Sequence, residues 1–188
     1  TGLAALRSDF LSRLRAIIDP QGLRWIWITH ADADHVGNLA AVLEEAPNAR
    51  LVTTFLGMAK MSLLGLPTDR AYLLNPGQSL DVGDRSLLAL APPTYDAPET
   101  TGLFDPHSRT LVSSDSFGAL LAEPVSDAAA VPAERLREGL ITWATIDAPW
   151  VRRVNQAAFS AALNPIRDLK PQRILSAHLP PAHGMTDA

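Results

Sequence analysis

The residues with the clearest chemical potential lie in one short segment, Thr29-His30-Ala31-Asp32-Ala33-Asp34-His35. Two histidines and two aspartates occur there, and imidazole nitrogens with carboxylate oxygens suit zinc, iron or manganese. In an extended backbone His30 and Asp32 point to one side, whereas Asp34 and His35 follow where the chain turns into a helix. The spacing therefore predicts two pairs of ligands, one for each of two metal ions.

Taken singly, each of these residues has an ordinary structural explanation. Asp34 would serve as the N-cap of a helix predicted at Asn38–Ala46, and a lone histidine is usually a surface or satisfied core residue. All four together favour a metal site, because they directly follow Leu23–Thr29, an apolar run typical of a buried strand. A strand end presents such side chains rigidly.

The elements that must position this segment alternate along the chain. Apolar residues at helical spacing, ended by Pro or Gly, predict helices at Ser8–Ile18, Asn38–Ala46, Phe55–Leu64, Pro132–Thr145 and Val151–Leu169. Short apolar runs predict strands at Leu23–Thr29, Arg50–Thr54, Tyr72–Leu74, Ser79–Val82, Ser86–Ala91, Gly102–Phe104, Thr110–Ser114 and Arg173–Ser176. Helix–strand alternation at both ends, with hairpins between, predicts an α/β layered fold with mixed sheets, one domain over residues 1–188.

Composition excludes several function classes. The 188 residues contain no cysteine, which removes disulfides, thiolate zinc sites, iron–sulfur clusters and a cysteine nucleophile. A formal charge of −4 gives no general attraction to nucleic acid or to a membrane surface. The sequence contains neither an apolar run long enough to span a membrane nor a signal-peptide pattern, so the expected location is the cytoplasm.

The motif His30-x-Asp32-x-Asp34-His35 resembles the metal signature of the metallo-β-lactamase fold, H-x-[HED]-x-D-H. Two other landmarks of that family follow in order. Asp115, in Leu-Val-Ser-Ser-Asp-Ser-Phe-Gly, is similar to the family's bridging aspartate. His178, in Ile-Leu-Ser-Ala-His, is similar to its last histidine. Thr1-Gly2 resembles the end of an Asp-Thr-Gly turn. The resemblance covers essentially the whole chain. It implies an αββα sandwich whose opening strands precede Thr1.

Within that family the chain resembles the diiron, oxygen-handling branch, which includes the lactamase-like domain of flavodiiron proteins. Asp32 is an acid where most hydrolytic members have histidine, and Ser114–Gly118 is similar to the D-A-F-G segment of that branch. Ala97–Thr100 is similar to the stretch after its middle histidine. The resemblance implies two metal ions, iron in preference to zinc or manganese, with O₂ or NO as the substrate.

One departure concerns the middle ligand, which is a histidine in the family. No histidine lies between positions 36 and 106, and His107 comes too late, in a hairpin turn where a surface residue is expected. Aligning Pro98-Glu99-Thr100 favours Asp96 as the replacement, with Tyr95 and Glu99 as alternatives. The expected ligands are His30, Asp32, Asp34, His35, Asp96, Asp115 and His178.

The charge of this ligand set bears on the metal. Four aspartates offset two divalent ions, so the resting centre is near neutral, which weakens Lewis acidity and favours iron or manganese over zinc.

The leading hypothesis is a diiron protein that binds or reduces O₂ or NO, with a separate electron-donor protein if it is a reductase. The alternative is a hydrolase of esters, thioesters, lactones or phosphoesters that uses a metal-bridging hydroxide. A third hypothesis is a degenerate scaffold with one metal or none.

Beyond the metal ligands, no residue is assigned a catalytic role. The sequence has no G-x-S-x-G elbow and no glycine-rich nucleotide motif, so no further cofactor site is expected. Trp143 and Trp150, after Asp115, are candidates to cover the mouth of the metal site. The sequence leaves the oligomeric state open, a homodimer included.

Overall fold

The computed structural model describes residues 1–185 and divides the chain into two compact units, Thr1–Asn75 and Pro76–Ala188. Helices and strands alternate in the first unit, and hairpins dominate the early part of the second, which confirms the α/β prediction. The prediction of a single domain stays a prediction. No helix among residues 1–185 combines the length and the apolar character that crossing a membrane requires.

The first unit is built around a three-stranded parallel sheet in the order β1-β2-β3. Parallel neighbours need a crossover between them, and helices supply it. The elements in chain order are α1 (Arg7–Ile17), β1 (Trp25–Trp27), α2 (Ala33–Val36), α3 (Leu39–Glu45), β2 (Arg50–Thr53), α4 (Phe55–Leu63) and β3 (Ala71–Leu73). In the register, Ile26 pairs with Leu51 and Val52 with Tyr72.

The core of the first unit lies under this sheet, where Leu39, Leu51 and Met61 are almost completely buried. The start of α4 is fixed at the end of β2, because the Thr54 hydroxyl accepts a hydrogen bond from Gly57 N at 3.0 Å. A Cβ at position 57 would lie 2.3 Å from a side-chain oxygen of the preceding strand. Glycine is therefore required for α4 to begin this close to the sheet.

The second unit contains a six-stranded sheet in the order β4-β5-β6-β7-β8-β9, antiparallel except where β7 meets β8. Its strands are β4 (Ser79–Asp81), β5 (Ser86–Leu90), β6 (Gly102–Asp105), β7 (Thr110–Val112), β8 (Arg173–Leu175) and β9 (Ala182–His183). Its helices are α5 (Ala133–Asp147), α6 (Gln156–Ala162) and α7 (Asn164–Leu169). Ile166 on α7 belongs to the core cluster with Leu90, Phe104 and Leu111.

The turn between β6 and β7 is organised by Asp105. Its carboxylate accepts hydrogen bonds from His107 N at 2.9 Å, Ser108 Oγ at 2.7 Å and an Arg85 guanidinium nitrogen at 3.1 Å. Burial raises the pKa of Asp105, but these hydrogen bonds outweigh burial and hold the pKa below its usual value. His107 is exposed in this turn, as the sequence predicts.

The predicted helix Val151–Leu169 is wrong as a single element. A 3₁₀ helix covers Pro149–Arg153, and α6 and α7 follow separately. Asn155 caps α6 by accepting from Ala158 N at 3.0 Å, and Pro165, which is disfavoured in a helix interior, occupies the first turn of α7. The short final strand β9 was not predicted from the sequence.

The predicted helix Asn38–Ala46 also differs in its detail. It is α3, it begins after Asn38, and the separate single-turn helix α2 precedes it. The predicted strand Leu23–Thr29 is likewise shorter, because only Trp25–Trp27 pairs as β1. The residues beyond β1 leave the sheet, and this places the histidine–aspartate motif in a turn between a strand and a helix.

Candidate metal centre

The histidine–aspartate motif occupies the turn from β1 into α2. Ile28 N still donates to Val52 O at 2.9 Å, after which the chain leaves the sheet. The backbone oxygen of Asp32 then accepts from His35 N and Val36 N and so starts α2. The loop is also held through His35 O, which accepts from the hydroxyl of Thr1 at 2.8 Å. These hydrogen bonds hold the motif in a turn that leads into a helix, as the sequence predicts.

The two imidazoles lie side by side in the first unit. The side chain of His30 is completely buried, and its ring centroid is 3.9 Å from that of His35. The Thr29 hydroxyl lies 3.2 Å from Nδ1 of His30 and 3.4 Å from Nδ1 of His35. A polar partner at Nδ1 orients the ring and directs Nε2 toward a metal ion. Thr29, which sequence reasoning did not single out, thus contacts both imidazoles.

The two aspartates of the motif have different surroundings. Asp32 stands at the N-cap of α2 without making a side-chain cap, and its Oδ1 accepts from Lys60 Nζ at 2.8 Å. Asp34 lies inside α2, 3.4 Å from Nε2 of His35. The alternative of Asp34 as the cap of the next helix is wrong, because Asn38 occupies that position. The first unit thus gathers two imidazoles and two carboxylates at one strand end.

The second unit places Asp115 in a tight turn after β7. Ser114 and Phe117, on either side of it, have positive φ angles of 55° and 64°, and Asp115 is only 4% exposed. The hydroxyl of Ser116 donates to Thr94 O at 2.6 Å, and Thr94 N donates back to the same hydroxyl at 3.0 Å. These bonds join the Asp115 turn to the loop that carries Tyr95 and Asp96.

Three carboxylates converge in this unit. One oxygen each of Asp96, Asp115 and Asp147 lies within 4.8 Å of the others. Asp147 was missed by sequence reasoning, although an aspartate as the last residue of α5 is itself a signal, because a helix C-terminus disfavours negative charge. Nε2 of His178 lies 3.5 Å from Oδ1 of Asp115. The second unit thus offers one imidazole and three carboxylates.

The three candidates for the middle ligand differ in this structure. Tyr95 packs its ring against Trp150 with a centroid separation of 5.1 Å, and its backbone oxygen accepts from the Trp150 indole. Glu99 is buried, and among the described residues it belongs to no group with metal-binding spacing. Asp96 belongs to such a group with Asp115. This supports Asp96, which stays a prediction.

Trp143 on α5 packs over His178. The ring centroids are 4.2 Å apart, and Nε1 of Trp143 donates to Asp115 O at 3.0 Å. Gly118 makes room for the indole, because a Cβ there would lie 2.5 Å from Nε1 of Trp143. Ala119 N donates to His178 O at 2.9 Å and holds the histidine from its backbone side. Trp143 thus packs on His178 and donates to the backbone of Asp115, whereas Trp150 contacts Tyr95.

The donor set contains nitrogen and oxygen ligands alone, which suits iron, manganese or zinc. A family described as ODP family beta lactamase matches residues 2–178. The chain belongs to this family. This match confirms that the chain resembles the metallo-β-lactamase fold over nearly its whole length.

Two curated relatives show which branch of the fold the ODP-family chain is similar to. It is 26% identical over 120 residues to a nitric oxide reductase of Moorella thermoacetica, an alignment that covers 63% of this chain and 30% of the relative. It is 30% identical over 127 residues to the type A flavoprotein fprA of Rhodobacter capsulatus, covering 62% of this chain and 27% of the relative. The chain thus matches less than a third of each relative's length.

Solved structures agree in fold. Rubredoxin oxygen:oxidoreductase from Desulfovibrio gigas matches 100% of this chain and 46% of its own, with a TM-score of 0.84 and 20% identity. The flavodiiron protein of Giardia intestinalis matches 99% of this chain and 45% of its own, with a TM-score of 0.81 and 20% identity. The predicted fold and the resemblance to the diiron branch are confirmed.

Proposed function

We propose that the ODP-family chain holds two metal ions, with iron preferred, and reduces NO or O₂ with electrons from a donor. The observation that carries this proposal is the gathering of imidazoles and carboxylates at a strand end in each unit, in a chain of this family. The names of the relatives, nitric oxide reductase among them, support the choice of substrate.

We propose as ligands of the two ions the seven residues expected from the sequence. They are His30, Asp32, Asp34 and His35 in the first unit and Asp96, Asp115 and His178 in the second. The donor chemistry of this structure fits such ions, because Thr29 orients two of the imidazoles and Asp147 adds a carboxylate beside Asp96 and Asp115. Bound iron would supply the reversible one-electron change that reduction of NO or O₂ needs.

The protein's own residues prepare the centre for that chemistry. The carboxylates of Asp32, Asp34, Asp96 and Asp115 offset the charge of two divalent ions, which favours iron over zinc. The indole of Trp143 packs against the ring of His178, and we expect it to limit the access of water on that side. We propose that a separate electron-donor protein supplies the electrons, as expected from the sequence for a reductase of this branch. A homodimer stays a prediction.

Gas consumption tests this function. The protein is loaded anaerobically with ferrous iron, supplied with a chemical reductant, and mixed with NO or with O₂ in separate experiments. We expect consumption of the gas that depends on both iron and reductant, with nitrous oxide or water as the product. An Asp115→Asn variant serves as the matched control and is expected to lose this consumption.

Two results would contradict the proposal. A zinc-loaded protein that hydrolyses esters, thioesters, lactones or phosphoesters, while the iron form leaves NO and O₂ untouched, would establish the hydrolase alternative. A protein that retains less than one metal ion per chain would establish the degenerate scaffold.

A further inference from the structure

One of the two lysines in the chain contacts a proposed metal ligand within the first unit. Lys60 Nζ donates to Oδ1 of Asp32 at 2.8 Å, and the other lysine, Lys170, is the C-cap of α7. Lys60 lies on α4, 28 residues after Asp32 in the chain. No sequence motif marks Lys60, and only the folded structure brings it next to Asp32.

Asp32 contacts Lys60 through its side chain and does not use that side chain to cap α2. Asp32 stands at the N-cap of α2 with extended angles of φ −78° and ψ 157°, where an aspartate ordinarily accepts a hydrogen bond from the first turn through its carboxylate. Here the side chain makes no cap hydrogen bond and is held by Lys60 instead. A residue that departs from its local preference in this way is typical of a functional site.

The position of Lys60 is set by well-packed neighbours. The close approach of Gly57 to the end of β2 fixes the first turn of α4, and Met61, next to Lys60, is 1% exposed. The lysine and aspartate side chains themselves are 37% and 38% exposed. An ion pair this exposed adds little to folding stability, so stability alone does not explain why Asp32 gives up its cap.

We propose that Lys60 is a charge-tuning residue of the metal centre. Its ammonium donates to Oδ1 of Asp32, and its positive charge favours the ferrous over the ferric state. This inference rests on the proposed function, because it concerns the same centre.

The direction of the effect follows from electrostatics. A fixed positive charge near a metal ion opposes further positive charge on that ion, so it disfavours the ferric state more than the ferrous state. It also competes with a divalent ion for the charge of Asp32. Loss of the ammonium therefore tightens binding of a divalent ion and lowers the reduction potential.

The test compares Lys60→Met with two control variants. Lys60→Arg keeps the positive charge, and Lys170→Asn removes the other lysine at a position with a φ angle of 47°, a conformation that asparagine tolerates. Cobalt(II) affinity is measured on the metal-free protein, and the reduction potential on the iron-loaded protein. We expect Lys60→Met to bind cobalt about tenfold more tightly and to shift the ferric–ferrous equilibrium about tenfold toward ferric iron, or about 59 mV for one electron.

The controls separate this inference from the proposed function. Lys60→Arg is expected within about twofold of the unmodified protein, and Lys170→Asn is expected unchanged. A Lys60→Met variant that matches Lys170→Asn in both measurements overturns the inference while the proposed function stands. Failure of the unmodified protein to bind metal overturns both. If Lys60→Met does not fold, Lys60→Gln gives the same comparison with a polar side chain.

Discussion

Replacing Gly118 by alanine tests how the second unit holds its ligands. The new Cβ would lie 2.5 Å from Nε1, 2.7 Å from Cδ1 and 2.8 Å from Cε2 of Trp143, so the indole must move by about 1 Å to reach normal contact distances. That movement breaks its 3.0 Å hydrogen bond to Asp115 O, which contributes about 1 kcal/mol. Overpacking adds about 1–3 kcal/mol. We therefore expect Gly118→Ala to lower the free energy of unfolding by about 2–4 kcal/mol.

Urea denaturation followed by far-ultraviolet circular dichroism measures this loss. The matched control is Gly22→Ala, because a Cβ at Gly22 meets nothing within 4 Å. The control should leave stability unchanged or raise it by up to about 1 kcal/mol. In a Trp143→Ala background, Gly118→Ala should cost little more, since the clash is gone. Equal stability of Gly118→Ala and Gly22→Ala would refute the packing argument.

The remaining predictions concern the metal, its histidines and pH. Asp32→His exchanges a carboxylate for an imidazole, so metal analysis of the purified variant should show less iron and more zinc; an unchanged ratio would contradict the charge argument. Thr29→Val removes the hydroxyl beside Nδ1 of both His30 and His35 and should weaken cobalt(II) binding by about 10–100-fold, with Thr29→Ser as the control that keeps the hydroxyl. The lowered pKa of Asp105 means that its ionised form stabilises the fold above its unfolded pKa, and that this stability is lost as pH falls through the folded pKa. The stability difference between the unmodified protein and Asp105→Asn should thus be largest near neutral pH and shrink in acid, and a pH-independent difference in urea denaturation would exclude this role.

Features encoded in neighbouring residues could be predicted from the sequence. The turn after β1 is one of them, since an apolar run followed by alternating His and Asp predicts both the strand end and a set of candidate ligands. Asp115 and His178, by contrast, were expected as ligands through the resemblance to the metallo-β-lactamase fold, although each follows an apolar strand. The family resemblance then placed these separate segments in one fold.

Contacts between distant segments could not be predicted in this way. Lys60 meets Asp32 across 28 residues, and Asp147 meets Asp96 and Asp115 from the end of a helix. Neither contact leaves a local periodic pattern. The break before α6 is different, because asparagine is a common cap residue and Asn155 caps α6, whereas the prediction of one long helix rested on apolar spacing.

The metal content of the purified protein tests the central claim most directly. Elemental analysis of the unmodified chain and of Asp115→Asn, purified side by side, reports how many ions each retains. We predict about two metal ions per chain, mainly iron, in the unmodified protein and a clear loss in the variant. One ion or none in the unmodified protein, or equal content in the two, would contradict a dinuclear centre that has Asp115 among its ligands.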